Sequence, residues 1–321
     1  MGVCGSQVKQ WMKIQPSDGF QWQCLFSSQL IVSGIGSLSL HDEAIQDTTL
    51  VPSYWLRNFF NNRYADFSAD QRLPLTVVDD ACVSVVGWGW NIYGHFLIEA
   101  LPKLLGVRSI APESWAELKF LVRSDTPEWF LDICNRNLDI RSNQFYSFDP
   151  QKERVLLKRG IFPCLPIQTG CFHPKIRDLI RDVRINESIS EQTTRKIFIS
   201  RIGLSEERKR IRGCSNEARL CEIAAKHGYT IYSPEKDDWD TQISYLRSAS
   251  HIVGLAGSGL HGSLLCDRKP IVGSIGMHGM VQCQIASLMQ QPFGALTDGV
   301  NISGQFTVPE GPFEKFLSGL N

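Results

Sequence analysis

The sequence predicts an α/β fold in two halves, each an open sheet of mostly parallel strands flanked by helices. Three observations carry that prediction. The chain has 321 residues, more than one ordinary domain and enough for two of about 150 each. Hydrophobic residues make up 43% and charged residues 21%, the balance of a protein that buries a core. Short runs rich in Val, Ile and Phe alternate with stretches whose apolar residues recur at helical spacing. Such alternation implies parallel pairing, because two parallel strands need a crossover connection between them.

In the first half, strands are expected at 77–78, 83–86, 118–122 and 155–157, and helices at 95–107 and 128–137. The first 75 residues are irregular and few elements can be placed there. A helix opened by proline follows at 174–183, and the polar stretch 186–194 (NESISEQTT) reads as a linker. The division is therefore set at 1–188 and 189–321. The second half runs strand 196–200, helix 216–227, strand 229–232, helix 239–248, strand 251–255 and a glycine loop. A helix at 260–266, a strand at 270–272 and a helix at 280–289 complete the alternation. A last helix at 310–320 is placed to pack back across the domain junction.

Lys plus Arg and Asp plus Glu both number 33, so the chain has no global attraction for nucleic acid or an anionic membrane. An anionic ligand must then be held by a local basic cluster. The start, MGVCGSQVKQWMKIQ, lacks the apolar centre of a signal peptide, and no run of about 18 apolar residues occurs. The chain is read as cytoplasmic. Met1–Ser6 fits the short acylation pattern M-G-x-x-x-[ST], compatible with peripheral membrane association but frequent by chance. The ten cysteines include no CxxC pair and read as reduced thiols rather than a metal cage.

Ligands of open parallel sheets bind beyond the carboxyl ends of the strands, which singles out three places in the second half. Arg201 follows the strand 196–200. The turn Ser233-Pro234-Glu235 follows 229–232. The loop Gly254-Leu255-Ala256-Gly257-Ser258-Gly259-Leu260-His261-Gly262 follows 251–255. Small residues ahead of a helix let backbone N–H groups approach an oxyanion; they also permit tight strand–helix packing. Gly257-x-Gly259-x-x-Gly262 matches the dinucleotide fingerprint literally, but the next strand, Pro270–Gly276, lacks the acid that reading requires. Basic residues follow Arg201 at Arg208–Arg210 and Arg212, before Asn216-Glu217 opens a helix. Arginine suits phosphate through its two parallel donors.

In the first half, the stretch Trp88–Pro102 (WGWNIYGHFLIEALP) ends a strand and opens a helix, with His95 and Glu99 at i and i+4 on one face. That pair can act in proton transfer or form a structural hydrogen bond; nothing nearby supplies a third zinc ligand. Asp237-Asp238-Trp239-Asp240 contains an Asp-x-Asp but directly precedes a helical pattern, where acids cap the N-terminus.

Two blocks resemble glycosyltransferase family 61. The first is Asn91–Pro102 (NIYGHFLIEALP), similar to the family's N-Y-G-H-F/W-L-x-E/D-x-L-P. The second is an ordered set running from Lys196–Arg201 through Arg212, Asn216-Glu217, Gly228-Tyr229, Pro234-Glu235, Gln242-Ile243 and Ala249 to Ile252-Val253-Gly254. The resemblance implies a GT-B-like fold, two Rossmann-like domains facing a central cleft, and inverting, metal-independent transfer from a UDP-sugar by a hexosyl- or pentosyltransferase. It implies an acceptor-side domain at 1–188 and a nucleotide-sugar-binding domain at 189–321. The acceptor would be a glycan or a lipid-linked precursor in polysaccharide biosynthesis. Glu99 and His95 become the catalytic candidates, with Glu99 slightly preferred as base. Arg201, Arg212, Asn216, Glu217, Glu235, Gly257, Ser258, Gly259 and His261 become the donor-binding set.

The chain departs from the family's G-x-H-G-A-x-L-x-N loop: Ala256 stands for the histidine, Ser258 for the alanine and Gly262 for the asparagine. His261 or the Ser258 hydroxyl would have to replace the lost histidine. A non-catalytic nucleotide-sugar-binding or scaffold protein on the same fold is the alternative.

Overall fold

The computed structural model describes residues 10–14, 22–34, 37–40, 43–44, 71–87, 89–168, 171–181, 183, 195–204, 213–276, 280–302 and 305–320. The chain divides into two compact units, Met1–Val183 and Arg184–Asn321. Both are α/β.

The first unit carries strands β1 (Gln10–Ile14), β2 (Trp22–Ser27), β3 (Leu30–Ser33), β4 (Ser37–Leu40), β5 (Glu43–Ala44) and β6 (Leu75–Ser84). A helical run follows: α1 (Tyr93–His95), a π-helical turn (Phe96–Ala100) and α2 (Leu101–Ile110). Then come β7 (Lys119–Arg123), α3 (Glu128–Leu138), β8 (Phe145–Phe148), β9 (Arg154–Pro163), the short pair β10 (Ile167–Gln168) and β11 (Cys171–Phe172), and α4 (Lys175–Arg181).

Only part of this sheet is parallel, which corrects the expectation of mostly parallel pairing for the first half. Strands β9, β6, β7 and β8 pair in parallel, while β1 to β5 add antiparallel partners beside β9. Strands β2 and β3 hold one register along β9, with Ser27 opposite Gly160 and Ile31 opposite Leu156, so they form one line interrupted at Ser28-Gln29. The connections from β1 to β2, β3 to β4 and β4 to β5 are too short for crossover helices, so antiparallel pairing is the outcome chain geometry allows within those pairs. The two strands expected at 77–78 and 83–86 are one strand, β6, whose register shifts between Val78 and Ala81. The intervening acids Asp79 and Asp80 are exposed there, which hides the continuity from an apolar pattern.

The second unit carries β12 (Arg195–Ile199), α5 (Glu217–Lys226), β13 (Tyr229–Tyr232), α6 (Trp239–Arg247), β14 (Ala249–Leu255), α7 (Ser258–His261), β15 (Ile271–Ile275), α8 (Met280–Met289), β16 (Phe293–Leu296), the pair β17 (Val300–Ile302) and β18 (Gln305–Thr307), and α9 (Glu310–Gly319). Its sheet is parallel throughout, in the order β13-β12-β14-β15-β16. The chain starts at β12, moves outward to β13, then returns past β12 to β14. The direction of winding therefore reverses between β12 and β14, and this is where ligands enter sheets of this topology.

Burial fixes the order of layers. Phe198, Val253, Leu255, Ile275 and Leu296 meet Leu220, Ile223 and Ala224 of α5 and Phe313 and Leu317 of α9 in one core, and the Phe198 and Phe313 rings lie edge to face at 6.0 Å. Helix α9, which the sequence placed at the junction, lays this buried face on its own unit. Room for it comes from Gly273 and Gly294: a Cβ on either would stand within 2.9 Å of a Leu320 methyl. Among the described residues no helix is long and apolar enough to cross a membrane.

Asn216 ties the last helix to the first. Its Nδ2 donates to the Val308 carbonyl (2.7 Å) and its Oδ1 accepts from Val308 N–H (3.1 Å), pinning the connector before α9 to the start of α5. Val308 is fully buried, so Asn216→Ala removes the amide partner of both its backbone groups and leaves the Cys214 thiol beside the backbone there. Each such loss costs about 1–3 kcal/mol, and urea denaturation should show a destabilisation of about 2–4 kcal/mol. A loss under about 0.5 kcal/mol would mean the amide is dispensable.

Candidate functional site

The second unit gathers the predicted anion-site residues at the reversal point of its sheet. Strand β12 ends at Ile199; Ser200 follows and donates its N–H to the Tyr232 carbonyl (2.8 Å), and Arg201 then leaves the sheet. Its backbone N–H donates to Glu217 Oε1 (2.5 Å), and the Ser200 hydroxyl donates to the same oxygen (3.4 Å). Glu217 is buried. Burial pushes its carboxyl above the usual range, opposed by the Arg201 N–H and by the Arg201 charge. Arg201 Nη2 reaches across to the carbonyls of Leu255 (2.8 Å) and Ala256 (2.5 Å). One side chain thus joins the carboxyl ends of β12 and β14.

The glycines of the loop have separate causes. Gly257 sits at φ 146°, ψ −165°, a backbone conformation essentially confined to glycine, and turns the chain out of β14 into α7. A Cβ on Gly259 would come to 3.0 Å from Ile199 Cγ2, and one on Gly262 to 2.4 Å from Leu246 Cδ1. Packing of the loop on β12 and α6 therefore accounts for Gly259 and Gly262, and conformation for Gly257. The helix expected at 260–266 is corrected: α7 is one turn beginning at Ser258, and it passes into 3₁₀ geometry over Gly262–Leu265. A run that short contributes little macrodipole, which leaves the individual N–H groups and Arg201 as the groups able to meet an anion.

The other predicted donor residues are distributed around this point. Ser258 and His261 are half-buried on the turn. Glu235 lies exposed in the 3₁₀ turn after β13, and its carboxylate covers Gly203, where a Cβ would meet Oε1. Asn216 and Glu217 both spend side-chain atoms on backbone, the first on Val308 and the second on Arg201. Arg212 and the basic stretch 208–210 lie outside the described residues, as do the linker 186–194 and the residues of the acylation pattern. Asp238 caps α6, accepting from Thr241 N–H at 2.8 Å, and so does the work expected of the Asp-x-Asp.

The first unit presents a second cluster beyond β6 and β7. His95 Nδ1 lies 2.9 Å from Glu99 Oε1, with the side chains 21% and 15% exposed. The π-helical turn Phe96–Ala100 begins directly after His95 and contains Glu99; such single-turn insertions recur at functional sites. Gly89, at φ 83°, lies against the imidazole, and any Cβ there would meet His95 Cγ at 2.5 Å. Beside it the Arg123 guanidinium stacks on Trp90 (3.8 Å to the ring centroid), donates twice to Asp125 (2.8 Å each) and once to the Gly34 carbonyl (2.8 Å). Arg123 ends a parallel strand, the same signal that marked Arg201, and sequence reading passed over it. Lys103, i+4 from Glu99 and 7% exposed, was also missed, although the spacing His95–Glu99–Lys103 displays it. Among the described residues no three His, Cys, Asp or Glu side chains converge as a metal-binding group.

The family model described as Glycosyltransferase 61 matches residues 93–272. No curated protein matches the chain significantly. The match spans more than half of the sequence, opening at α1 just before His95 and closing in β15, so it contains His95, Glu99 and Arg123 of the first cluster and Arg201 with the glycine loop of the second. The chain belongs to glycosyltransferase family 61.

Proposed function

We propose that this glycosyltransferase moves a hexosyl or pentosyl group from a UDP-sugar to a hydroxyl of a glycan or lipid-linked polysaccharide precursor, with inversion and without a metal. In this GT-B-type reading, residues 189–321 bind the donor and residues 1–188 bind the acceptor, in the cytoplasm. The observation that carries it is Arg201 joining the ends of β12 and β14 at the reversal point of a parallel sheet. A diphosphate placed there meets the guanidinium and the N–H groups of Gly257, Ser258 and Gly259, which offset the charge on departing UDP. Glu235 and His261 flank the donor; Arg212 would add positive charge from its place in the family pattern.

For the transfer, the acceptor oxygen attacks the anomeric carbon as the carbon–oxygen bond to UDP breaks, and its electron pair leaves with the phosphate. The acceptor proton needs a base. The 2.9 Å contact makes His95 the better candidate than Glu99, because a carboxylate accepting from Nδ1–H leaves Nε2 as the proton acceptor. Glu99 then orients the ring.

The scaffold alternative draws on Ala256, which stands where the family's loop has histidine, and on Gly259 and Gly262, which packing against Ile199 and Leu246 accounts for. A thermal-shift panel of UDP-, GDP-, dTDP- and CMP-sugars, with and without EDTA, separates the readings. Stabilisation by UDP ligands that survives EDTA, with slow UDP release in water, is expected of the enzyme. Binding without UDP release would favour a non-catalytic nucleotide-sugar-binding protein, and no binding of any nucleotide would leave the scaffold reading.

A further inference from the structure

Arginine is seldom buried unless its donors are matched, and Arg123, at the end of β7, is 9% exposed. Its Nε and Nη2 donate to the two oxygens of Asp125, and its Nη1 donates to the carbonyl of Gly34, which follows β3. These hydrogen bonds hold the Asp125 carboxyl below the usual range, although that side chain is exposed. Two parallel donors to one carboxylate fix the orientation of a guanidinium. The group so held lies over the Trp90 indole, 3.8 Å from the ring centroid.

Trp90 belongs to a tight turn between β6 and α1. The turn is closed by the Ile92 N–H donating to the Gly89 carbonyl (2.8 Å), and the Phe96 N–H then donates to the Ile92 carbonyl (3.0 Å). Trp90 Nε1 is buried and has no hydrogen-bond partner among the described residues, so the indole is anchored through its face and not its edge. Gly89, next to it, lays its backbone on His95. A Cβ there would meet Cγ, Cδ2 and Cβ of the histidine at 2.5, 2.7 and 2.8 Å. The imidazole is thus held at two places, by Glu99 at Nδ1 (2.9 Å) and by Gly89 along the Cγ–Cδ2 edge that leads to Nε2. The second hold is only as firm as the turn, and the guanidinium ties that turn to the end of β7.

We infer that Arg123 is a positioning residue: by clamping Trp90 it fixes the Gly89 turn against the His95 imidazole, so that Nε2 is presented in one orientation to the acceptor hydroxyl. This role rests on His95 acting as base in the transfer proposed above. It needs arginine, because an ammonium has neither the fork that spans Asp125 and Gly34 nor a flat face for the indole.

Kinetics and hydrogen exchange on the full chain test the inference. Arg123→Met should lower kcat for UDP release at least about tenfold, the usual scale for a misplaced catalytic group, and leave the donor KM within about twofold. In a His95→Ala background the same change should cost less than about twofold, because a residue acting through the imidazole then has nothing to position. Equal losses in both backgrounds would make Arg123 structural support alone and overturn the positioning role. Trp90→Phe keeps a ring face and should hold kcat within about threefold, whereas Trp90→Ala should fall as far as Arg123→Met. An unchanged kcat in Trp90→Ala would overturn the route through the indole. Should Arg123→Met fail to fold, the two Trp90 variants in both backgrounds read the same route. Exchange at the Ile92 amide tests the clamp without reference to activity: it should be at least about tenfold faster in Arg123→Met and Trp90→Ala than in the parent. Unchanged exchange would overturn the clamp. A parent chain that releases no UDP from any donor defeats the transfer reading and with it the positioning role, while exchange still decides the clamp.

Discussion

Arg201→Ala should raise the dissociation constant for the UDP-sugar at least tenfold. Two losses contribute. The diphosphate loses a guanidinium, and hydrogen bonds to charged groups contribute about 1.5–3 kcal/mol each, where about 1.4 kcal/mol is already a factor of ten. The Leu255 and Ala256 carbonyls also lose the donor that joins them to β12, so the turn at Gly257 is less well held and its N–H groups are no longer aimed in advance. Arg201→Lys separates the two, since an ammonium keeps the charge but lacks the planar fork that spans two carbonyls. It should bind the donor with intermediate affinity. Isothermal titration with UDP and the donor, together with hydrogen exchange at the Ser258 and Gly259 amides, reads both effects. An unchanged dissociation constant would remove Arg201 from the site.

Arg201 was legible before the fold was known because two independent rules met on it: a strand ends there, and parallel sheets bind ligands beyond strand ends. What it does with its donors was not legible, since the carbonyls it caps lie 54 and 55 positions away. The same distance effect explains Asn216. Its type and place suggested a ligand contact, while its partner is Val308, 92 residues on. The glycine loop shows the opposite case. Gly257, Gly259 and Gly262 satisfy a spacing rule as a set, yet one is required by backbone conformation and two by methyl groups of Ile199 and Leu246.

The parallel sheet of the second unit was readable because the carboxyl-terminal parts of its central strands, 197–199, 252–255 and 272–275, are buried and largely apolar. Strand β16 escaped notice because Phe-Gly-Ala-Leu has no β-branched residue to mark it. In the first unit the antiparallel strands are short, and their shared partner, β9, lies more than a hundred residues later. No local pattern announces that pairing. Lys103 was overlooked for a related reason: a lysine in an apolar helix reads as its solvated edge, and only burial shows that it points inward.

His95→Ala should lower turnover by roughly 10²- to 10⁴-fold, the usual range for loss of a general base, while the donor dissociation constant stays within about twofold. The split follows from where the residues lie: the imidazole belongs to the first unit, and Arg201, Gly257 and Ser258 to the second. Glu99→Gln should cost less at neutral pH than His95→Ala, because an amide oxygen can still accept from Nδ1–H, though without the charge that favours the imidazolium formed as the proton arrives. If Glu99 were itself the base, the order would reverse, with Glu99→Gln the more damaging change. Single-turnover transfer measured on both variants decides between the two carriers of the proton. Turnover within threefold of the parent in both would remove this pair from the chemistry and leave their 2.9 Å contact as a clasp that holds the π-helical turn in place.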